Sequence, residues 1–198
     1  MRIEYKDLSQ IEYKNSYTVK SKSLVCGFCG NMIAPVNGYK IQYHDTAGLI
    51  KTAGFIYECP YCKKPIFYDE LANEVYPGEI FGRNINNLPA EVASLYEECR
   101  KAFSAKCYTG AILLARKLLM HIGVENGGET NKNFVYYVNY LDEKGYIPPN
   151  GKAWIDYIRQ SANEANHEIV IKTREDAIKV LTFISYLLIF DYELPNSL

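Results

Sequence analysis

Four of the six cysteines form two Cys-x-x-Cys turns, Cys26-Gly27-Phe28-Cys29 and Cys59-Pro60-Tyr61-Cys62, separated by 29 residues. A turn of this length lets two thiolates converge on one ion, and two such turns supply the four soft ligands of a closed tetrahedral Zn²⁺ site. Gly27, Gly30 and Pro60 suit tight turns. Four thiolates leave no open coordination position, so Cys26, Cys29, Cys59 and Cys62 predict structural zinc, with a redox dithiol or free thiols as the alternative. His44 lies between the turns and is expected on an exposed loop, because a four-cysteine site does not need it. Cys99 and Cys107 stand alone in helical pattern and are expected to be core thiols.

A second set of chemically able residues lies in Ile158-Arg159-Gln160-Ser161-Ala162-Asn163-Glu164-Ala165-Asn166-His167. At 100° per residue, Trp154, Tyr157, Ile158, Ser161, Ala162 and Ala165 share one helix face, and Arg159, Asn163, Asn166 and His167 lie roughly 150° away. The polar stripe is therefore expected to point away from the subunit's own core. It has two readings. One is a solvated or structural helix face, with Arg159, Asn163 and His167 forming a polar ladder. The other is a site that uses the Arg as a planar anion fork and the His as a group that titrates near neutrality.

The elements that must position these residues fall into two parts. Residues 1–80 are rich in Tyr, Val, Ile, Gly and Pro, with strand-like runs at Tyr39–Tyr43 and Gly54–Glu58, and predict a small β module. The strands between the two cysteine pairs can form the hairpin that brings the pairs together. Without an ion, such a module has little apolar mass to hold its shape. Residues 88–195 predict five helices. The first follows Leu88-Pro89, with Pro at the first helical position and Val92, Leu95, Tyr96, Cys99 and Phe103 at helical spacing. The second, Thr109 to Ile122, carries Ile112, Leu113, Leu114, Ala115, Leu118 and Leu119 around more than half its circumference, as a central helix would. The third, Asn133 to Lys144, ends at Gly145. The fourth holds the polar stripe. The fifth starts at Thr173 with Asp176 three residues on and runs to about Tyr192. The expected class is α+β, a small N-terminal β zinc ribbon followed by an all-α five-helix bundle.

Composition narrows the function classes. The 198-residue chain is 48% hydrophobic, enough for a buried core, and has a formal net charge of −1. Binding to nucleic acid would therefore need a local basic patch, for which Arg116-Lys117 is the candidate pair. Eighteen Tyr and eight Phe supply core, interface or base-stacking surface. Met1 to Lys22 lacks the apolar run of a secretory signal, and the longest uncharged apolar run near the C-terminus, Val180 to Phe190, is eleven residues, short of the roughly twenty that span a bilayer. A cytoplasmic protein with no membrane partner is expected.

From Leu88-Pro89 to Leu194-Pro195 the chain resembles the bacterial family called domain of unknown function 4145, grouped with the HEPN-like helical bundles. The resemblance rests on the order and spacing of Leu88-Pro89, Tyr96-Glu97-Glu98, Ala111 through Arg116 with Leu118-Leu119, Gly145-Tyr146-Ile147, Ile158-Arg159, Asn163 to His167 and Asp176-Ala177. It implies a homodimer with the polar stripe of the fourth helix near the two-fold axis. It also implies a setting in defence or toxin-type systems, with RNA, DNA or a protein as partner. For HEPN proteins that are metal-independent endoribonucleases, the resemblance gives Arg159 to the scissile phosphate, His167 to general acid–base work and Asn163 to orienting His167. Here the sequence departs from the pattern: seven residues separate Arg159 from His167, more than catalytic members use. On an ideal helix the two lie about 80° apart and beyond direct hydrogen-bond reach, whereas Asn163 and His167 are i,i+4 neighbours. The non-catalytic interaction module is therefore the leading expectation and the nuclease the alternative.

Overall fold

The computed structural model of the chain describes residues 12–147, 151–163 and 171–197, with only the helical backbone at 152 and 159–163. The fold is α+β: antiparallel sheets precede five helices. The chain divides into two compact units, Met1–Ile80 and Phe81–Leu198.

The first unit contains β1 (Tyr17–Thr18), β2 (Leu24–Val25), β3 (Met32–Ile33), β4 (Asn37–His44), β5 (Ile50–Glu58), β6 (Pro65–Asp69) and β7 (Glu74–Tyr76). Five of these form an antiparallel sheet in the order β1-β4-β5-β6-β7, and β2 pairs with β3 as a separate hairpin. Alternation along β5 and β6 sends Phe55, Tyr57, Ile66 and Tyr68 to one face. There they meet Val19, Leu24, Ile33, Cys26 and Cys59 in a core of nine buried residues among those described. Two of those nine are the inner cysteines, so the candidate ligands are part of the core itself.

The second unit contains α1 (Ala90–Ser104), α2 (Tyr108–Glu125), α3 (Phe134–Glu143), α4 (Lys152–Asn163) and α5 (Arg174–Leu188), followed by a π-helical turn, Ile189–Glu193. α2 is the hub and packs on α1, α3 and α5. Its buried residues, Ala111, Ile112, Ala115, Leu118, Leu119, Ile122 and Gly123, recur at helical spacing. Leu113, one of the apolar residues spread around the helix, is exposed because it lies on the opposite side of the helix from Ala111 and Ala115. Pro89 sits one place before the first helical residue, its carbonyl accepting from the Ala93 N–H at 2.9 Å. On α4, Ile155 and Ile158 are buried and Trp154 and Tyr157 half-buried, so Ile155 belongs to the core face although the periodicity reading omitted it.

α5 begins with a full capping box. Thr173 Oγ1 accepts from the Asp176 N–H at 3.2 Å, and Asp176 Oδ2 accepts from the Thr173 N–H at 3.0 Å. Tyr157 on α4 donates its hydroxyl to Asp176 Oδ1 at 2.5 Å, which ties the two helices at this end. The expected run of the last helix to Tyr192 is modified by the π turn. In a regular helix Leu194, seven residues after Leu187, would return to the buried face. Here Leu194 is exposed and Glu193 is buried instead. Glu193 is held by the Arg83 guanidinium, whose Nη1 donates at 2.9 Å, and by the N–H and side-chain amide of Asn86 at 3.1 and 3.0 Å. Buried Arg100 on α1 donates to the Phe81 carbonyl at 2.8 Å and to Asn84 Oδ1 at 2.6 Å. Both networks fasten residues 81–86 to the helices.

Two of these carboxylates are held well below the ordinary range, both to about 2. The Tyr157 hydroxyl and the Thr173 backbone N–H lower Asp176, and Arg83 together with Asn86 lowers Glu193. A depressed carboxylate stabilises the folded state above its unfolded pKa near 4 and loses that contribution as pH falls toward 2. The helical signal is therefore expected to lose thermal stability between about pH 5 and 2. Asp176→Asn should be less stable at neutral pH and lose less on acidification, as thermal melts across that range will measure. A pH-independent melting midpoint in the wild type would refute this.

Among the described residues, no helix is long and apolar enough to cross a membrane.

Candidate metal centre

The two cysteine turns share one backbone frame. In the first, the Gly30 N–H donates to the Cys26 carbonyl at 2.8 Å, and the Cys26 N–H donates to the Asn31 carbonyl at 2.9 Å. In the second, the Lys63 N–H donates to the Cys59 carbonyl at 3.0 Å, and the Cys59 N–H to the Lys64 carbonyl at 3.1 Å. Each turn closes through a residue in the left-handed region, Gly30 at φ 74° and Lys63 at φ 57°. Glycine takes that conformation without strain, whereas Lys63 must be held there. Tyr13 supplies one hold, donating its hydroxyl to the Lys63 carbonyl at 2.6 Å, and the Lys63 ammonium pairs with Glu58 at 2.9 Å. β2 and β3 flank the first turn, β5 and β6 the second.

These two frames bring the four sulfurs within 4.8 Å of one another. Cys26 Sγ lies 3.7 Å from Cys62 Sγ, and Cys29 Sγ lies 3.8 Å from Cys59 Sγ. A tetrahedron with metal–sulfur bonds of about 2.3 Å has edges of about 3.8 Å, so these two distances are compatible with thiolates around one ion. It is much longer than a disulfide bond of about 2.05 Å. Cys26 and Cys59 are buried, while Cys29 and Cys62 lie toward solvent. The set could hold a metal ion.

Hydrogen bonds to sulfur prepare the set for an ion. The Phe28 N–H points at Cys26 Sγ at 3.4 Å, and Asn31 Nδ2 at Cys29 Sγ at 3.4 Å. Burial pushes the Cys26 and Cys62 thiols up. Burial also raises Cys29, but the Asn31 backbone N–H, the neighbouring cysteines and the Asn31 amide outweigh it and hold this thiol at about 7. A cation among the sulfurs removes the cost of collecting four thiolates in one place. The roles of Asn31, as a side-chain donor to sulfur, and of Lys63, as the left-handed residue, are not visible in the Cys-x-x-Cys spacing. The only sequence signal is that each follows the second cysteine of its turn closely.

Two other cysteine and histidine expectations need correction. Cys99 is buried on α1, with its thiol pushed up to about 12 by burial. Cys107, expected in the core, is exposed because it precedes the first residue of α2 rather than lying on the helix's inner face. His44 is exposed as expected but ends strand β4 rather than occupying a loop. Arg116, read as a source of positive charge, sits with its guanidinium carbon 4.5 Å from the centre of the Phe134 ring, where burial lowers its pKa.

The polar stripe is not assembled among the described residues. Arg159 and Asn163 lie on the backbone of α4, His167 lies outside the described residues, and so do the side chains of Arg159 and Asn163. The helices around that stripe carry the match to known proteins: residues 97–197 match the family model described as Domain of unknown function (DUF4145). The chain belongs to this family. The DUF4145 match begins within α1 and runs through the π turn, so it lies wholly in the helical unit, and the four clustered cysteines fall outside it. Nothing matches the chain among curated proteins or among solved structures.

Proposed function

We propose that this DUF4145 protein is a zinc-stabilised, homodimeric interaction module, in which Cys26, Cys29, Cys59 and Cys62 hold one structural Zn²⁺ and the HEPN-like helical bundle pairs two copies. The observation that carries the zinc assignment is the pair of matched turns with sulfur spacings of 3.7 and 3.8 Å, the edges of a tetrathiolate tetrahedron. Four sulfur ligands leave no place for a substrate or an activated water, so the ion braces the β unit and performs no reaction. The family resemblance supports a setting beside nucleic acid or a protein partner in a defence or toxin-type system.

Metal analysis tests the centre. One zinc per chain is expected, and replacement by Co²⁺ should give the intense visible bands of a tetrahedral tetrathiolate site. Weak, octahedral-type absorption would overturn the assignment. The non-catalytic reading also makes a definite expectation for RNA. Single-stranded RNA incubated with the zinc-loaded protein, without magnesium, should remain intact. Cleavage by the wild type that disappears in His167→Ala would instead assign a metal-independent endoribonuclease using Arg159, Asn163 and His167.

A further inference from the structure

The four clustered cysteines are not equally shielded. Cys26 and Cys59 lie in the core of the β unit at 0% exposure, Cys62 is half-buried and Cys29 is exposed. Four sulfurs around one ion leave it no open position, so a reaction at the centre takes place at sulfur, where the thiolate is the nucleophilic form of cysteine. Solvent access then selects the sulfur that a small electrophile reaches first. Among the four, that sulfur belongs to Cys29.

Its neighbours supply the second half of a redox reaction. Cys59 Sγ stands 3.8 Å from Cys29 Sγ across the two turns, and all four sulfurs lie within 4.8 Å of one another. The other two cysteines lack this arrangement: Cys107 is exposed but outside the cluster, and Cys99 is buried.

We propose that Cys29 is an oxidative modification site through which a hydroperoxide opens the zinc centre. The proposal rests on the zinc reading above and adds the regulation of that site. With hydrogen peroxide, the Cys29 thiolate attacks one oxygen; the S–O bond forms, the O–O bond breaks and hydroxide leaves, giving a sulfenic acid. A buried neighbour, the Cys59 or Cys26 thiolate, then attacks the Cys29 sulfur; the S–S bond forms, the S–O bond breaks and a second hydroxide leaves. Two thiolates give up two electrons in all, and one peroxide becomes two hydroxide ions. Only two of the four thiolates remain, and the thiolate is the form that binds metal. The β unit, whose core includes both buried cysteines, thereby loses its brace, while the separate core of the helical unit is untouched. A reductant supplied with Zn²⁺ reverses the change.

The test treats the zinc-loaded wild type, Cys107→Ser and Cys29→His with equimolar hydrogen peroxide. A chromogenic chelator too weak to strip the untreated protein reads free Zn²⁺, and peptide mapping after alkylation locates the oxidised sulfurs. The wild type and Cys107→Ser are expected to release zinc at the same rate, with Cys29 in a disulfide to Cys59 or Cys26, and reductant with Zn²⁺ should restore the amide dispersion of the β unit. Cys29→His keeps a tetrahedral set of three sulfurs and one nitrogen, and without the exposed thiolate it should release zinc at least about tenfold more slowly. If Cys29→His does not load zinc, the peptide map of the wild type decides. A wild type that carries no zinc before peroxide is added overturns the centre and this inference together. Zinc retained under peroxide, zinc lost with Cys29 still a free thiol, release abolished in Cys107→Ser, or a Cys29→His site that opens as fast as the wild type overturns the modification site and leaves the zinc centre standing.

Discussion

Cys26→Ser is expected to abolish zinc binding and unfold the β unit, while the helical signal of the chain persists. Among the described residues the β unit has a core of nine buried residues, two of which are the inner cysteines Cys26 and Cys59. The helical unit has its own cluster, drawn from Val92 through Leu188 and sharing no residue with the first. Metal binding to a structural four-ligand site contributes about 10–16 kcal/mol in small zinc domains, which exceeds the total stability of most domains at about 5–15 kcal/mol. With Zn²⁺ held as proposed, removing one ligand therefore removes the largest favourable contribution to the β unit. Zinc content and the dispersion of amide resonances measure the outcome, and exhaustive chelation of the wild type should reproduce it. Cys107→Ser is the control: its thiol is exposed and away from the cluster, so metal content and fold should be unaffected. A Cys26→Ser protein that keeps both its zinc and its dispersed β resonances would refute the structural role.

The second large effect is expected at Leu118. It is fully buried on α2, the helix that packs on three others. Leu118→Ala should cost about 2–5 kcal/mol, the sum of lost transfer energy and the cavity left behind. Leu113→Ala, five residues earlier on the exposed side of the same helix, should stay within about 0.5 kcal/mol of the wild type. Urea unfolding followed on the helical signal compares the two. Equal costs would mean that the bundle does not pack around α2 as described.

This pair of leucines also marks how far the sequence could be read. Periodicity placed helices over the observed α1, α2, α3 and α5, because an amphipathic repeat is a local property of consecutive residues. The same repeat places Leu113 with Leu118 on a broad apolar circumference, since an apolar-rich helix offers more candidates for burial than it has neighbours. Cys99 and Cys107 show the same limit. Both are thiols in helical pattern, but only Cys99 lies on an inner face, and Cys107 falls at a helix start whose position depends on where α1 ends. The capping box at Thr173 and Asp176 was legible because its two partners are three residues apart. The partner that lowers Asp176 most, Tyr157, was not, because it arrives from a different helix.

By itself the sequence determined the α+β order of elements, the two thiol turns and the helical repeat behind the DUF4145 match, each of them written within a few turns of chain. Only the tertiary structure decided that the turns share one hydrogen-bond frame, that their four sulfurs gather within 4.8 Å of one another and that Asn31 donates to one of them. Only it decided that Glu193 goes inward to Arg83 while Phe190 and Leu194 go out. The physical reason is the same in each case. These arrangements depend on segments far apart in the chain meeting at a few tenths of an ångström, and residue spacing sets which groups are available to meet, not which of them do.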